Sequence, residues 1–218
     1  MIKLIKLPEP DILKDNKEKW TKEYLQLIES DEEIPATIKN RYNRPEIKNQ
    51  LILETHGKCA YCESKIPHIS YGDIEHILPK NKNARPDLYV EWSNLTYSCE
   101  ACNRTRKKDY YSEEEPLINP YLDNIDEFFI ALGGFIYHKP GNRRGEITER
   151  ILELNRVELL ERRKERLEKI IPLVDQWANE QNPILKEILE DQIKQEASEE
   201  KEYSFVIKTY LNQIGLAI

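Results

Sequence analysis

Cys59, Cys62, Cys99 and Cys102 are the only cysteines in this 218-residue chain, and they stand as two Cys-x-x-Cys pairs. Thiols at that spacing form a knuckle whose thiolates converge, and two knuckles close a tetrahedral zinc site. The other readings are four unrelated buried thiols or two disulfides of a secreted protein. The absence of a fifth cysteine and of any leader-like start argues against both. Between the pairs lies Asp73-Ile74-Glu75-His76-Ile77-Leu78-Pro79, followed by Asn94 and by Cys99-Glu100-Ala101-Cys102-Asn103-Arg104-Thr105-Arg106-Lys107. Histidine is the side chain suited to taking a proton near neutral pH. Carboxylate and amide oxygens suit a hard divalent cation that keeps several of its waters.

The order of these letters resembles the HNH endonuclease (ββα-metal) pattern: an acid-His pair near a strand end, a central Asn, and a closing Asn after the second cysteine pair. The resemblance runs from Cys59 to Lys107. It implies hydrolysis of nucleic-acid phosphodiesters, with His76 as the base, Glu75 and Asn103 holding Mg²⁺ or Mn²⁺, and Asn94 steadying the loop that orients His76. Glu75 stands where the pattern more often has Asp or His. Asp73 reads either as a further metal ligand or as a turn-capping residue. Neighbouring strand residues face opposite ways, so Glu75 and His76 share a site only where the strand ends and bends, as Pro79 suggests. Lys80, Lys82, Arg85, Arg104, Arg106, Lys107 and Lys108 read as phosphate contacts, or else as a solvated positive face.

The flanks carry a second resemblance. Ile2-Lys3-Leu4 to Leu13 with Pro10, Leu117-Ile118-Asn119-Pro120, and Arg150-Ile151-Leu152-Glu153-Leu154-Asn155 followed by Leu159, Arg162 and Arg163 are similar to the HNH component of Septu-type and retron-associated antiphage systems. That resemblance implies an ABC-type ATPase subunit as partner. A net charge of −7 and a pI near 5.4 are unexpected for a chain that binds phosphates alone. The expectation is therefore locally concentrated basic residues plus a partner that brings the target, with DNA ahead of RNA. A non-catalytic reading stands beside it: a zinc-stabilised nucleic-acid-binding or adaptor module, which has no need of Glu75, His76 and Asn103 at these offsets.

The elements that must position these residues give an α-rich α+β fold. Only 7 glycines and long Glu/Lys-rich stretches favour helices. The division expected is an N-terminal helical segment over 1–57, a zinc-clamped core over 58–115, and a hairpin plus partner-docking helices over 116–218. Apolar spacing predicts one helix from Asp11 to Ile28 and another from Pro45 to His56, ended by Gly57. A tight hairpin is expected over 66–76, with Ser98 capping the helix that carries Cys102. A second hairpin is expected around Gly133-Gly134, a helix after Asn155 with Glu158 as a capping box, one after Asn182-Pro183, and a last from Tyr203 to Ile214. Trp20, Trp92 and Trp177 read as core. His56 reads as a helix-end cation, and His68 and His138 as hairpin-edge residues. No apolar run approaches the ~20 residues of a membrane span, so a cytoplasmic protein is expected.

Overall fold

The computed structural model describes residues 1–66 and 71–216; His68 lies outside the described residues. The N-terminal residues form an extended strap that buries Met1, Ile2 and Leu4. The Leu4 amide donates to Pro120 O at 2.8 Å. The strap enters α1 (Asp11–Lys14) and then α2 (Lys17–Glu29), which buries Trp20 and Tyr24. The single helix expected here breaks at Asp15-Asn16. Asn16 Nδ2 donates to Ile12 O at 3.0 Å, and such short polar side chains compete with the helical ladder. After α3 (Ala36–Lys39), α4 (Pro45–Glu54) starts at a proline and stops where His56 and Gly57 take φ of 53° and 70°. Gly57 N there reaches Ile52 O at 2.8 Å, a left-handed helix ending.

β1 (Asp73–His76) and β2 (Leu95–Ser98) form an antiparallel pair, with Asp73 opposite Ser98 and His76 opposite Leu95. The first arm of the hairpin expected over 66–76 lies partly outside the described residues, at 67–70; the strand described there, β1, takes its partner from beyond the loop 77–94. Buried along three of its four positions, β1 needs a strand that is itself buried throughout, and β2 is. Gly72 enters β1 at φ +61°, and a Cβ there would lie 2.4 Å from the Tyr97 ring, so only glycine fits. Beyond β2, residues Ala101–Lys107 wind as a π-helix, with Lys108 N bonded to Asn103 O at 2.8 Å. Residues five apart on an α-helix point about 140° from each other. The wider turn instead lets Cys102 and Lys107 both be buried. Ser98 does not cap this helix. It is the fully buried last residue of β2, held in register with Asp73.

α5 (Ile125–Phe128) leads into β3 (Phe129–Leu132) and β4 (Phe135–His138), joined through Gly133-Gly134 as the sequence indicates. The helices α6 (Arg143–Ile151), α7 (Val157–Asn179), α8 (Pro183–Glu196) and α9 (Ser204–Gln213) follow. Asn182 caps α8, accepting from Ile184 N at 3.0 Å. Asn155 does not cap α7. Its side chain brackets Ile136, accepting from Ile136 N and donating to Ile136 O, both at 2.8 Å. α7 buries Leu159, Leu167, Ile170, Val174 and the charged Arg163. One apolar cluster joins the strap, α2, α4, β1, β2, β3, α7 and α9. The fold is α+β, with two small sheets held among helices.

Candidate active and metal sites

The first cysteine pair lies on a tight knuckle. Cys59 N donates to Ser64 O and Glu63 N to Cys59 O, both at 2.9 Å, and Glu63 takes φ +65° to close the turn. Ala60 N donates to Tyr97 O at 3.0 Å, which fixes the knuckle to β2. The second pair follows directly from β2. All four sulfurs lie within 4.8 Å of one another, with Cys62 Sγ and Cys99 Sγ 3.8 Å apart. A tetrahedron with Zn–S of about 2.3 Å has edges of about 3.8 Å, whereas a disulfide requires about 2.0 Å. Four buried, convergent thiols fit zinc, and they are the only such cluster of His, Cys, Asp and Glu ligands among the described residues.

On the far side of β2 from this knuckle chain, His76 ends β1 and is 6% exposed. Its Nε2 lies 2.8 Å from Tyr89 O. A carbonyl can only accept, so Nε2 carries the proton and Nδ1 is left with its lone pair. Burial, helped by the Lys80 charge, holds the imidazole well below its usual range and therefore neutral at pH 7. Asn94 brackets Leu78 across the loop: Oδ1 accepts from Leu78 N at 2.8 Å and Nδ2 donates to Leu78 O at 2.9 Å. Ile77 N adds a bond to Asn94 O at 2.8 Å, so the chain just after His76 is fastened on both edges.

Asp73 and Glu75 lie on one face of β1 and meet the π-helix. Asn103 Nδ2 donates to Asp73 Oδ2 at 3.1 Å, and Arg104 forks onto the same carboxylate at 2.8 and 2.5 Å. Glu75 is 4% exposed and takes the Lys107 ammonium at 2.6 Å. Lys107 Nζ also donates to His76 O at 2.9 Å. Burial pushes the Glu75 carboxyl up, against the pull of Lys107. Asp73 and Glu75 carry carboxylates and Asn103 an amide, the oxygen-bearing groups that a hard divalent cation favours, and here they are engaged by Arg104, Lys107 and one another. Asn103 is brought to Asp73, while Glu75 is held by Lys107. A half-turn of the Asn103 amide would replace its donor with an oxygen beside the Asp73 carboxylate.

Lys107, expected among the surface phosphate contacts, is buried at 3% exposure and corrects that expectation. A charge inside the fold requires a partner, and Glu75 is it. Among the other expected cations, Lys82 pairs with Asp31, Arg85 with Asp87 and Arg106 with Glu153, while Lys108 is exposed. Lys80 sits closer to the centre: its Nζ is 3.1 Å from Tyr42 Oη and 4.2 Å from the Tyr42 ring centre. Burial lowers its pKa to about 8. Tyr42 meets the His76 ring edge-on at 4.5 Å, and Tyr24 stacks on Tyr89 at 4.0 Å. Sequence reasoning passed over these tyrosines. Nothing local distinguishes them, because their role is created by α2 and the segment after α3 folding over β1.

Residues 59–109 match a family model described as HNH endonuclease. The chain is 34% identical over 150 residues to Septu protein PtuB of Bacillus mycoides strain KBAB4, covering 56% of this chain and 51% of that protein. It is 33% identical over 165 residues to Septu protein PtuB of Bacillus thuringiensis, covering 73% and 57%. It is also 32% identical over 123 residues to "Retron Vc95 putative HNH endonuclease" of Vibrio cholerae serotype O1 biovar El Tor, covering 52% and 59%. The chain thus spans a little over half the length of the curated relatives it matches.

Proposed function

We propose that this chain is a divalent-metal-dependent endonuclease of the HNH type, acting in antiphage defence with an ABC-type ATPase subunit. The observation that carries the reading is His76. Its ring is buried and neutral, with Nε2 on the Tyr89 carbonyl and Nδ1 without a partner among the described residues, at the end of the strand that carries Asp73 and Glu75. A binding module gains nothing from such a residue; a hydrolase needs it. Nδ1 takes a proton from the attacking water, and the Tyr89 carbonyl steadies the positive charge that then forms on the ring. Asn94 keeps the ring aimed by holding Leu78. Asp73, Glu75 and Asn103 would hold the ion, with the Asn103 amide turned to present its oxygen. A bound Mg²⁺ or Mn²⁺ supplies Lewis-acid stabilisation of the phosphate and of the leaving oxygen. Lys80 lies against Tyr42, which meets the His76 ring, and Lys82, Arg85, Arg104, Arg106 and Lys108 are the phosphate contacts, the first four once their carboxylate partners are displaced.

DNA is proposed ahead of RNA as the substrate class, and because contacts to backbone rather than bases serve either polymer, both are assayed. The PtuB names of the relatives support the defence role, and the net charge of −7 supports a partner that brings the target. The test is nicking of supercoiled plasmid and cleavage of a structured RNA, with Mg²⁺ or Mn²⁺, with and without EDTA and with and without the ATPase subunit. His76→Ala should lose about 10²–10⁴ in rate while keeping its zinc and melting temperature. Asn103→Ala should be partly restored by excess Mn²⁺, and His76→Ala much less. Wild-type cleavage by His76→Ala would refute the assignment.

A further inference from the structure

We infer that Arg156 and Arg163 are the charge partners of the four-cysteine metal centre, and that its occupancy docks α7 onto the knuckle. The proposal is independent of any chemistry at His76. Arg156 immediately precedes α7, and its Nη2 lies 3.6 Å from Cys102 Sγ while Nη1 donates to Leu152 O at 3.2 Å. Arg163, about two turns further on, has no exposed surface. Its Nη1 donates to Leu154 O at 2.7 Å and Gly134 O at 3.2 Å, but Nε and Nη2 have no hydrogen-bond partner among the described residues. A guanidinium stays charged when buried, so it requires negative charge close by.

The buried carboxylate of Glu63 contributes, but it is shared. Glu63 is already engaged by the Met1 amino group at 2.7 Å, Lys58 at 3.6 Å and Phe205 N at 3.3 Å. Four neutral thiols do not provide the rest. Four thiolates around Zn²⁺ carry two negative charges in excess, which two arginines balance. The rest of the contact is built around the same knuckle. Ser64 Oγ is 3.4 Å from Cys62 Sγ and 3.0 Å from Tyr203 Oη, and the Tyr203 ring lies 5.8 Å from the Arg163 guanidinium. Lys65 N donates to Glu202 at 2.6 Å and Lys58 Nζ to Lys201 O at 2.9 Å. The C-terminal segment therefore meets the zinc knuckle through several polar contacts, besides packing on β3 and β4.

The experiment uses the full chain purified with zinc under reductant. Zinc release to excess chelator is followed for wild type, Arg156→Met, Arg156→Lys and, as control, Lys164→Met, whose side chain is 76% exposed on the same helix. Loss of an outer partner typically costs 10–100-fold in metal affinity, so Arg156→Met should release zinc on the order of tenfold faster or more. Arg156→Lys should recover most of that, and Lys164→Met should match wild type. In parallel, amide exchange is compared between zinc-loaded and zinc-stripped wild type. Stripping should deprotect residues 157–179 and 201–211, and this arm decides the matter if Arg156→Met does not fold. Wild-type release from Arg156→Met, unchanged exchange in α7 on stripping, or folded protein that takes up no zinc would each overturn the inference.

Discussion

Lys107 and Lys80 both bring an ammonium to this site, and the titration of Lys80 falls inside a working pH range. Burial lowers its pKa to about 8 from the usual 10.5. In the proposed reaction its ammonium faces the phosphate, so cleavage should decline as pH rises through about 8. Lys80→Arg should flatten that decline, because a guanidinium keeps its proton. Stability should respond in the opposite sense. Between pH 8 and 10.5 the unfolded chain binds the extra proton, so this group's contribution rises with pH there. A pH–rate profile of both proteins on plasmid decides the first point, and urea melts at pH 8 and 10 decide the second. A decline that is identical in Lys80→Arg would place the titrating group elsewhere. Tyr42→Phe removes the hydroxyl 3.1 Å from Lys80 but keeps the ring against His76, and should shift that profile without touching the fold.

Among the elements, the strap and α4 are coupled by one buried ion pair. Lys6 Nζ lies 3.1 Å from Glu54 Oε2, donates to Leu95 O at 2.6 Å and sits 3.8 Å from the Trp92 ring centre. The Glu54 side chain has no exposed surface. Burial lowers Lys6 to about 8 and raises Glu54, so each charge depends on the other. Lys6→Met should cost about 3–5 kcal/mol by urea denaturation, because it strands a carboxylate. Pairing it with Glu54→Leu should recover most of the loss; additive losses would refute the coupling. This contact also shows which parts of the molecule the sequence could reveal. The cysteine knuckles, the Asn182 cap and the Gly133-Gly134 turn depend on residues close in the chain, and each was legible. Ser98 and Asn155 have the letters of helix caps, yet distant partners claim them: strand β1 for one, Ile136 for the other. Lys107 looked like one more surface cation in a basic run, and only the position of Glu75 explains its burial. Glu75, His76, Asn94 and Asn103 could be picked out by order. The tyrosines over His76 and the arginines beside the cysteines could not.

Taken whole, the molecule gathers three exposed apolar residues on α8. Ile184, Leu185 and Ile188 are 69%, 48% and 49% exposed, on a helix whose buried side rests on Ile193. Contiguous exposed apolar surface marks contact sites more often than chance, and this one belongs to the region proposed to dock the ATPase subunit. Ile184→Ser with Ile188→Glu should weaken co-purification with that subunit and leave zinc content and melting temperature unchanged. Undiminished pull-down would move the interface to another face. No helix among the described residues is long and apolar enough to cross a membrane.

The π-helix from Ala101 to Lys107 has a consequence for chain length. A turn bonded i→i+5 is what remains when one residue is inserted into an α-helix. Cys102 and Lys107, five apart, share a side because of that extra residue. Removing exposed Thr105 would leave them four apart, and four residues of α-helix bring side chains back to within about 40°. The shortened chain should therefore close into ordinary helix and still fold with zinc bound. Inserting an alanine after Thr105 would set them six apart, about 120° from alignment on an α-helix, and should cost the Lys107–Glu75 pair and several degrees of melting temperature. Equal melting of the two variants would show that the helix does not count residues in this way.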